Sequence, residues 1–75
     1  MDELMKILEE LRPDVDFEAE TGLVSDGILD SFDIVSLVAQ LNETFDIEIG
    51  PVNLVPENFN SAEVIWTLVE QLQDE

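Results

Sequence analysis

The sequence predicts a small all-α protein: a four-helix bundle of three main helices and one short helix, with a long loop after the first helix. Three observations point there. Apolar residues recur at helical spacing in three separate stretches. The glycines and prolines (Pro13, Gly22, Gly27, Gly50, Pro51, Pro56) all fall between those stretches. The chain has 75 residues, which is one domain and no more, taken here as residues 1–75.

The first helix is predicted from about Asp2 to Arg12, because Leu4, Ile7, Leu8 and Leu11 repeat at i, i+3, i+4, i+7. Pro13 stops it. Asp2 and Glu3 suit its positive end and Arg12 its negative end. From Asp14 to Leu29 no period persists, yet Val15, Phe17, Leu23, Val24, Ile28 and Leu29 are spread through the stretch. A solvated linker has no need of them, so a loop pinned to the core is expected.

The second helix is predicted from Ser31 to Phe45, capped by Asp30 or Ser31. Ile34, Leu37, Val38, Leu41 and Phe45 make its core face. Asp33, Ser36, Gln40, Glu43 and Thr44 make the opposite, wet face. Phe32, Val35 and Ala39 form a third strip beside Ser31 and Asn42, outside the core arc. Ile47-Glu48-Ile49 reads as an extended connection. A short helical turn is expected around Pro56 to Phe59. The last helix should run from Ser61 to Gln73, with Asn60 and Glu63 in capping-box register and Ile65, Leu68, Val69 and Leu72 facing the core. Trp66 and Met5 fall at the core rim.

Composition excludes most functions. With no histidine there is no Ser-His-Asp arrangement, and with no cysteine no thiol chemistry, disulfide or ordinary zinc site. No Gly-rich phosphate-binding pattern occurs, and a bundle this small leaves little room for a substrate cleft, so the chain reads as a non-enzyme. Asp14 to Glu18 begins like a calcium loop, but Ala19 stands where the turn needs glycine and Ser25 where a bidentate glutamate is needed.

Nineteen acids stand against Lys6 and Arg12, a formal net charge of −17. Such a field repels nucleic acid and anionic membranes and favours protein partners with basic patches. The opening Met1-Asp2-Glu3 is acidic where a signal peptide is basic, and no run approaches the ~18 apolar residues of a membrane span. A monomer in the cytoplasm is the expectation.

The informative segment is Gly27-Ile28-Leu29-Asp30-Ser31-Phe32-Asp33. A hydroxyl stands where a loop turns into a helix, bracketed by Asp30 and Asp33, with the apolar strip starting beside it. A plain helix cap would use the same residue types. A helix N-terminus, with its unpaired amides, also favours a phosphate attached there, while the nearby acids oppose that anion, so a phosphodiester is expected to sit outward, in solvent.

Asp30-Ser31-Phe32-Asp33, the pattern Val35, Leu37, Val38, Leu41, Phe45, and then Ile47-Glu48-Ile49 resemble the acyl carrier proteins. The resemblance covers the whole chain, and Asp26 to Ser31 is similar to the approach to the serine in D-alanyl carrier proteins. It implies that a phosphopantetheinyl transferase moves 4′-phosphopantetheine from coenzyme A onto Ser31, with Asp30 helping to place the transferase's metal ion. The arm's thiol would then hold an acyl or aminoacyl group as a thioester. The cargo would be loaded by a ligase and passed to a downstream synthase or transferase in a fatty-acid, polyketide, peptide or D-alanyl pathway. Phe32, Val35 and Ala39, with Asp33 and Glu43, fall where such carriers meet those partners. Phe32 stands where fatty-acid carriers have leucine, Ser36 and Asn42 where they often have glutamate, and Asp46 where glycine is common. These departures weaken an assignment to housekeeping fatty-acid synthesis and put a specialised pathway, aminoacyl or polyketide-like, at least level with it. The competing reading is an unmodified acidic adaptor that binds a basic protein through the same strip.

Overall fold

A computed structural model describes residues 2–74; the ends of the expected domain, Met1 and Glu75, lie outside the described residues. Three α-helices form: α1 (Asp2–Leu11), α2 (Ser31–Phe45) and α3 (Ala62–Gln73). Two 3₁₀ turns, Pro51–Asn53 and Pro56–Asn58, lie between α2 and α3. The second is the expected short helix. The first lies outside the expected helical elements, and it forms because Pro51 presets the first residue while Asn53 Oδ1 accepts from Gly50 N–H at 3.0 Å.

The three helices pack on one another in all three pairings, and the second 3₁₀ turn packs on α3. Leu4, Ile7 and Leu8 of α1, Leu37 and Leu41 of α2, and Ala62, Ile65, Leu68 and Val69 of α3 are buried together. The apolar residues of the long loop behave as anchors: Phe17, Leu23 and Leu29 join the core, while Val15, Val24 and Ile28 pack against it. Ile49 and Phe59 close it from the other connection. The radius of gyration is 11.1 Å. A compact chain of this length has about 11 Å, so the long loop lies against the bundle and does not extend from it. No polar side chain is buried among the described residues, which leaves apolar packing as the source of stability. Trp66 sits at the core rim, edge-on to Phe45 with centroids 5.7 Å apart, and Met5 is half-buried against the core.

Several local expectations change. Arg12 lies just past α1, and its guanidinium turns to α2 instead of serving the α1 C-terminus. The α3 cap is Ser61, whose hydroxyl accepts from Val64 N–H at 3.2 Å, not Asn60 with Glu63. Asn60 is used elsewhere: its Oδ1 accepts from Val24 and Ser25 N–H at 3.0 Å each, and its Nδ2 donates to Ser25 Oγ at 3.1 Å. Two unpaired loop amides outcompete the helix end for that side chain, because the neighbouring Ser61 can cap just as well.

Asp46 ends α2 in the left-handed conformation, φ 53°, ψ 51°. Asn42 then holds the departing chain, taking Ile47 N–H on its carbonyl at 3.2 Å and Ile49 N–H on Oδ1 at 2.9 Å. That pins the Ile47–Ile49 connection without any strand partner. Before α2, Gly27 adopts φ +73°, a turn that L-residues resist, and Leu29 N–H closes the loop onto the Leu23 carbonyl at 2.8 Å.

Candidate functional site

Ser31 is the first residue of α2, and the chain reaches it through the anchored turn at Gly27 and Leu29. Asp30, not Ser31, is the N-cap. Its backbone is extended (φ −98°, ψ −176°), and its Oδ1 accepts from Asp33 N–H at 2.9 Å. Asp33 Oδ2 in turn accepts from Asp30 N–H at 3.3 Å, completing a capping box with aspartate at both corners. The plain-cap reading of Ser31 therefore fails: the capping work is done by its two neighbours. Among the described residues the Ser31 hydroxyl makes no hydrogen bond, and the residue is exposed.

This leaves a defined set of free groups. Of the amides at the helix start, those of Asp30 and Asp33 are taken by the box, and Ile34 N–H bonds the Asp30 carbonyl at 3.0 Å. Among the described residues the amides of Ser31 and Phe32 have no hydrogen-bond partner. They point with the helix dipole, which leaves two donors available at the end of α2 that carries Ser31.

The helical projection places Asp33 on the wet face of α2. The structure corrects this: its side chain keeps 16% of its accessibility, and its Oδ2 is 2.9 Å from Arg12 Nη1. The same Nη1 donates to the Ile28 carbonyl at 3.0 Å, and Arg12 Nε lies 3.5 Å from Asp14 Oδ1. The guanidinium is held above its ordinary pKa, first by the hydrogen bond to Asp33 and then by that to Asp14.

The apolar strip is where the projection put it. Phe32 is 85% exposed and Val35 67%, and Ala39 continues the strip in the open; Glu43, projected onto the wet face, is exposed as well. Sequence reading missed the other bank. Leu54 and Val55, between the two 3₁₀ turns, are also exposed, and with Val24 and Ile34 they border an apolar cleft that starts at Ser31. Its inner end is a cavity of about 140 Å³ floored by Pro56 and Phe59. The available signal was Leu54-Val55 placed between two prolines, where no helical period can turn both inward. The part played by Arg12 had a fainter signal: it is one of only two cations among nineteen acids.

An unengaged, exposed hydroxyl, two free helix amides and an adjoining apolar cleft fit a phosphate-linked arm whose remainder is an uncharged chain. Among the described residues no group of three carboxylates is placed to hold a metal ion, and no helix is long and apolar enough to cross a membrane.

Comparison with known proteins agrees with that geometry. Residues 2–65 match the family model described as "Phosphopantetheine attachment site". The chain is 34% identical over 67 residues to the D-alanyl carrier proteins of Lactococcus lactis subsp. lactis (strain IL1403) and subsp. cremoris (strain MG1363), covering 89% of this chain and 80% of theirs. No solved structure matches it significantly. The chain thus belongs to the phosphopantetheine attachment family, as a carrier protein that bears 4′-phosphopantetheine and is not itself an enzyme.

Proposed function

We propose that Ser31 is the attachment residue, and that the chain carries a small aminoacyl group of the D-alanyl type. The observation that carries the first statement is the helix start itself: Asp30 and Asp33 cap α2, and the hydroxyl between them is exposed and unengaged. In the transfer, Ser31 Oγ forms a bond to the phosphorus of the arm and loses its proton. The pyrophosphate bond of coenzyme A breaks, and the nucleotide half leaves as adenosine bisphosphate. The arm supplies a terminal thiol, which the chain lacks, for holding the cargo. The unpaired amides of Ser31 and Phe32 receive the phosphodiester. Asp30 stays exposed beside the serine, where it can help a transferase hold its metal ion.

Support for the aminoacyl cargo is the likeness to the D-alanyl carrier proteins across most of the chain. The cleft that starts at Ser31 is lined mostly by apolar side chains, so a charged ammonium on the cargo stays in solvent. Phe32, Val35, Ala39 and Glu43, joined by Leu54 and Val55, form the surface for the transferase, the loading ligase and the downstream transferase. The net charge of −17 steers basic surfaces toward it.

The deciding experiment is intact mass after incubation with coenzyme A, magnesium and a broad-specificity phosphopantetheinyl transferase. A gain of one phosphopantetheine, lost in Ser31→Ala, supports the assignment. No gain, with folded protein and a working positive control, favours the unmodified adaptor. A D-alanine-activating ligase with ATP then tests the cargo: a further mass gain of one alanyl group is expected on the modified protein alone.

A further inference from the structure

The chain has two cationic side chains, and one of them sits at the approach to Ser31. Arg12 leaves the end of α1 and reaches across 21 positions of sequence to Asp33. A single nitrogen, Nη1, donates to both the Asp33 carboxylate at 2.9 Å and the Ile28 carbonyl at 3.0 Å. The Asp33 oxygen it meets is the one that accepts from Asp30 N–H at 3.3 Å. The backbone from Ile28 to Asp30 is therefore gripped at both ends by one guanidinium: directly at Ile28, and through Asp33 at Asp30.

Two physical effects follow at Ser31. The turn into the helix is held in one arrangement, which fixes the Ser31 backbone, and with it the root of the side chain, relative to the docking strip on α2. The charge of Asp33 is also matched by a cation, which lowers the repulsion between the capping box and the anionic phosphate that arrives at the serine.

We propose that Arg12 is a positioning residue for the modification of Ser31, acting through Asp33 and the Ile28 carbonyl. This rests on the reading of Ser31 as the attachment site. Arg12 touches neither coenzyme A nor the reacting oxygen; it sets where that oxygen stands. Its guanidinium, held above its ordinary pKa chiefly by Asp33, stays charged throughout the usual pH range, so the grip does not switch off.

The test is steady-state transfer of phosphopantetheine from coenzyme A to the full chain. It compares wild type, Arg12→Gln, Arg12→Lys and Ser31→Ala at a temperature where circular dichroism shows all of them folded. Misplacing a reacting group by an ångström slows chemistry strongly, so kcat for Arg12→Gln should fall about tenfold. KM for the carrier should stay within about twofold, because Phe32 and Val35 still present the docking strip. Arg12→Lys keeps a cation that can reach the same two oxygens and should recover most of kcat. A merely structural role would lower Tm and leave the kcat of folded molecules alone.

The inference is overturned by a folded Arg12→Gln with wild-type kcat, by a loss confined to KM, or by a loss that lysine does not repair. If Arg12→Gln does not fold, Asp33→Asn removes the charge partner while keeping an acceptor for Asp30 N–H; the same kcat-only fall is expected, and its absence overturns the inference. Failure of wild type to gain mass, or a gain by Ser31→Ala, instead refutes the attachment-site reading itself.

Discussion

Asn60 is the polar residue on which the long loop depends most, and removing its side chain gives a sharp prediction. Its Oδ1 takes the Val24 and Ser25 amides at 3.0 Å each, and its Nδ2 reaches Ser25 Oγ at 3.1 Å, joining positions 35 and 36 residues apart. In Asn60→Ala the Leu23 N–H bond to the residue 60 carbonyl at 2.8 Å survives, since it is backbone to backbone. The Val24 amide is part-buried and loses its partner, for about 1 kcal/mol; the two exposed bonds to Ser25 add roughly 0.5 kcal/mol each. The expected destabilisation is about 2 kcal/mol, which in a domain of this size lowers Tm by about 10 °C. Urea unfolding followed by far-UV circular dichroism and Trp66 fluorescence reads it, with a lower midpoint and an unchanged slope. Asn60→Asp retains the acceptor and loses only the donor to Ser25, so its loss should be less than half as large. A change below about 0.5 kcal/mol in Asn60→Ala would refute the claim that this side chain holds the loop.

Asp46 carries a positive φ at the C-terminus of α2, where both the conformation and the negative charge are unfavourable. Asp46→Gly should therefore stabilise by about 1 kcal/mol in the same unfolding assay. Phe32 is 85% exposed, so Phe32→Ala should leave stability within about 0.5 kcal/mol of wild type while raising KM for the transferase. Leu41 is fully buried among all three helices, and Leu41→Ala should cost about 2–5 kcal/mol, enough to unfold much of a marginal domain at room temperature. With a net charge of −17 the fold works against self-repulsion. Raising NaCl from about 0.01 M to 1 M should raise Tm, and a flat response would contradict that reading. The raised pKa of Arg12 contributes stability that is complete below the unfolded-state value and lost only as pH climbs through the folded-state value. Both lie above the working range, so stability–pH curves of wild type and Arg12→Gln should run parallel between about pH 5 and pH 9.

The helices were legible in the sequence because their cause is local. Leu4, Ile7, Leu8 and Leu11 can all be buried only on a helix, and Pro13 can only end it. The bounds of α2, Ser31–Phe45, follow from an acidic cap and an apolar arc within one stretch of chain. The same stretch carried most of the family motif and the exposed strip, while Val15, Phe17, Leu23, Val24, Ile28 and Leu29 carried the expectation that the loop before it is pinned. What sequence left open was every choice in which a polar side chain had several partners within reach. Asp30 or Ser31 could cap α2; the reciprocal bond from Asp33 selected Asp30 and left the serine hydroxyl free. Asn60 could cap α3; the loop amides at Val24 and Ser25 claimed it instead. Arg12 could serve its own helix; Asp33 and Ile28 lay closer to its guanidinium once α1 and α2 had packed. Leu54 and Val55 became a cleft wall only because Val24 and Ile34 arrived opposite them. Periodicity reports which side of an element is buried, whereas these outcomes depend on which partner comes within reach, three positions away for the α2 cap and 16 to 36 positions away for Arg12 and Asn60. Only the packed chain sets those distances.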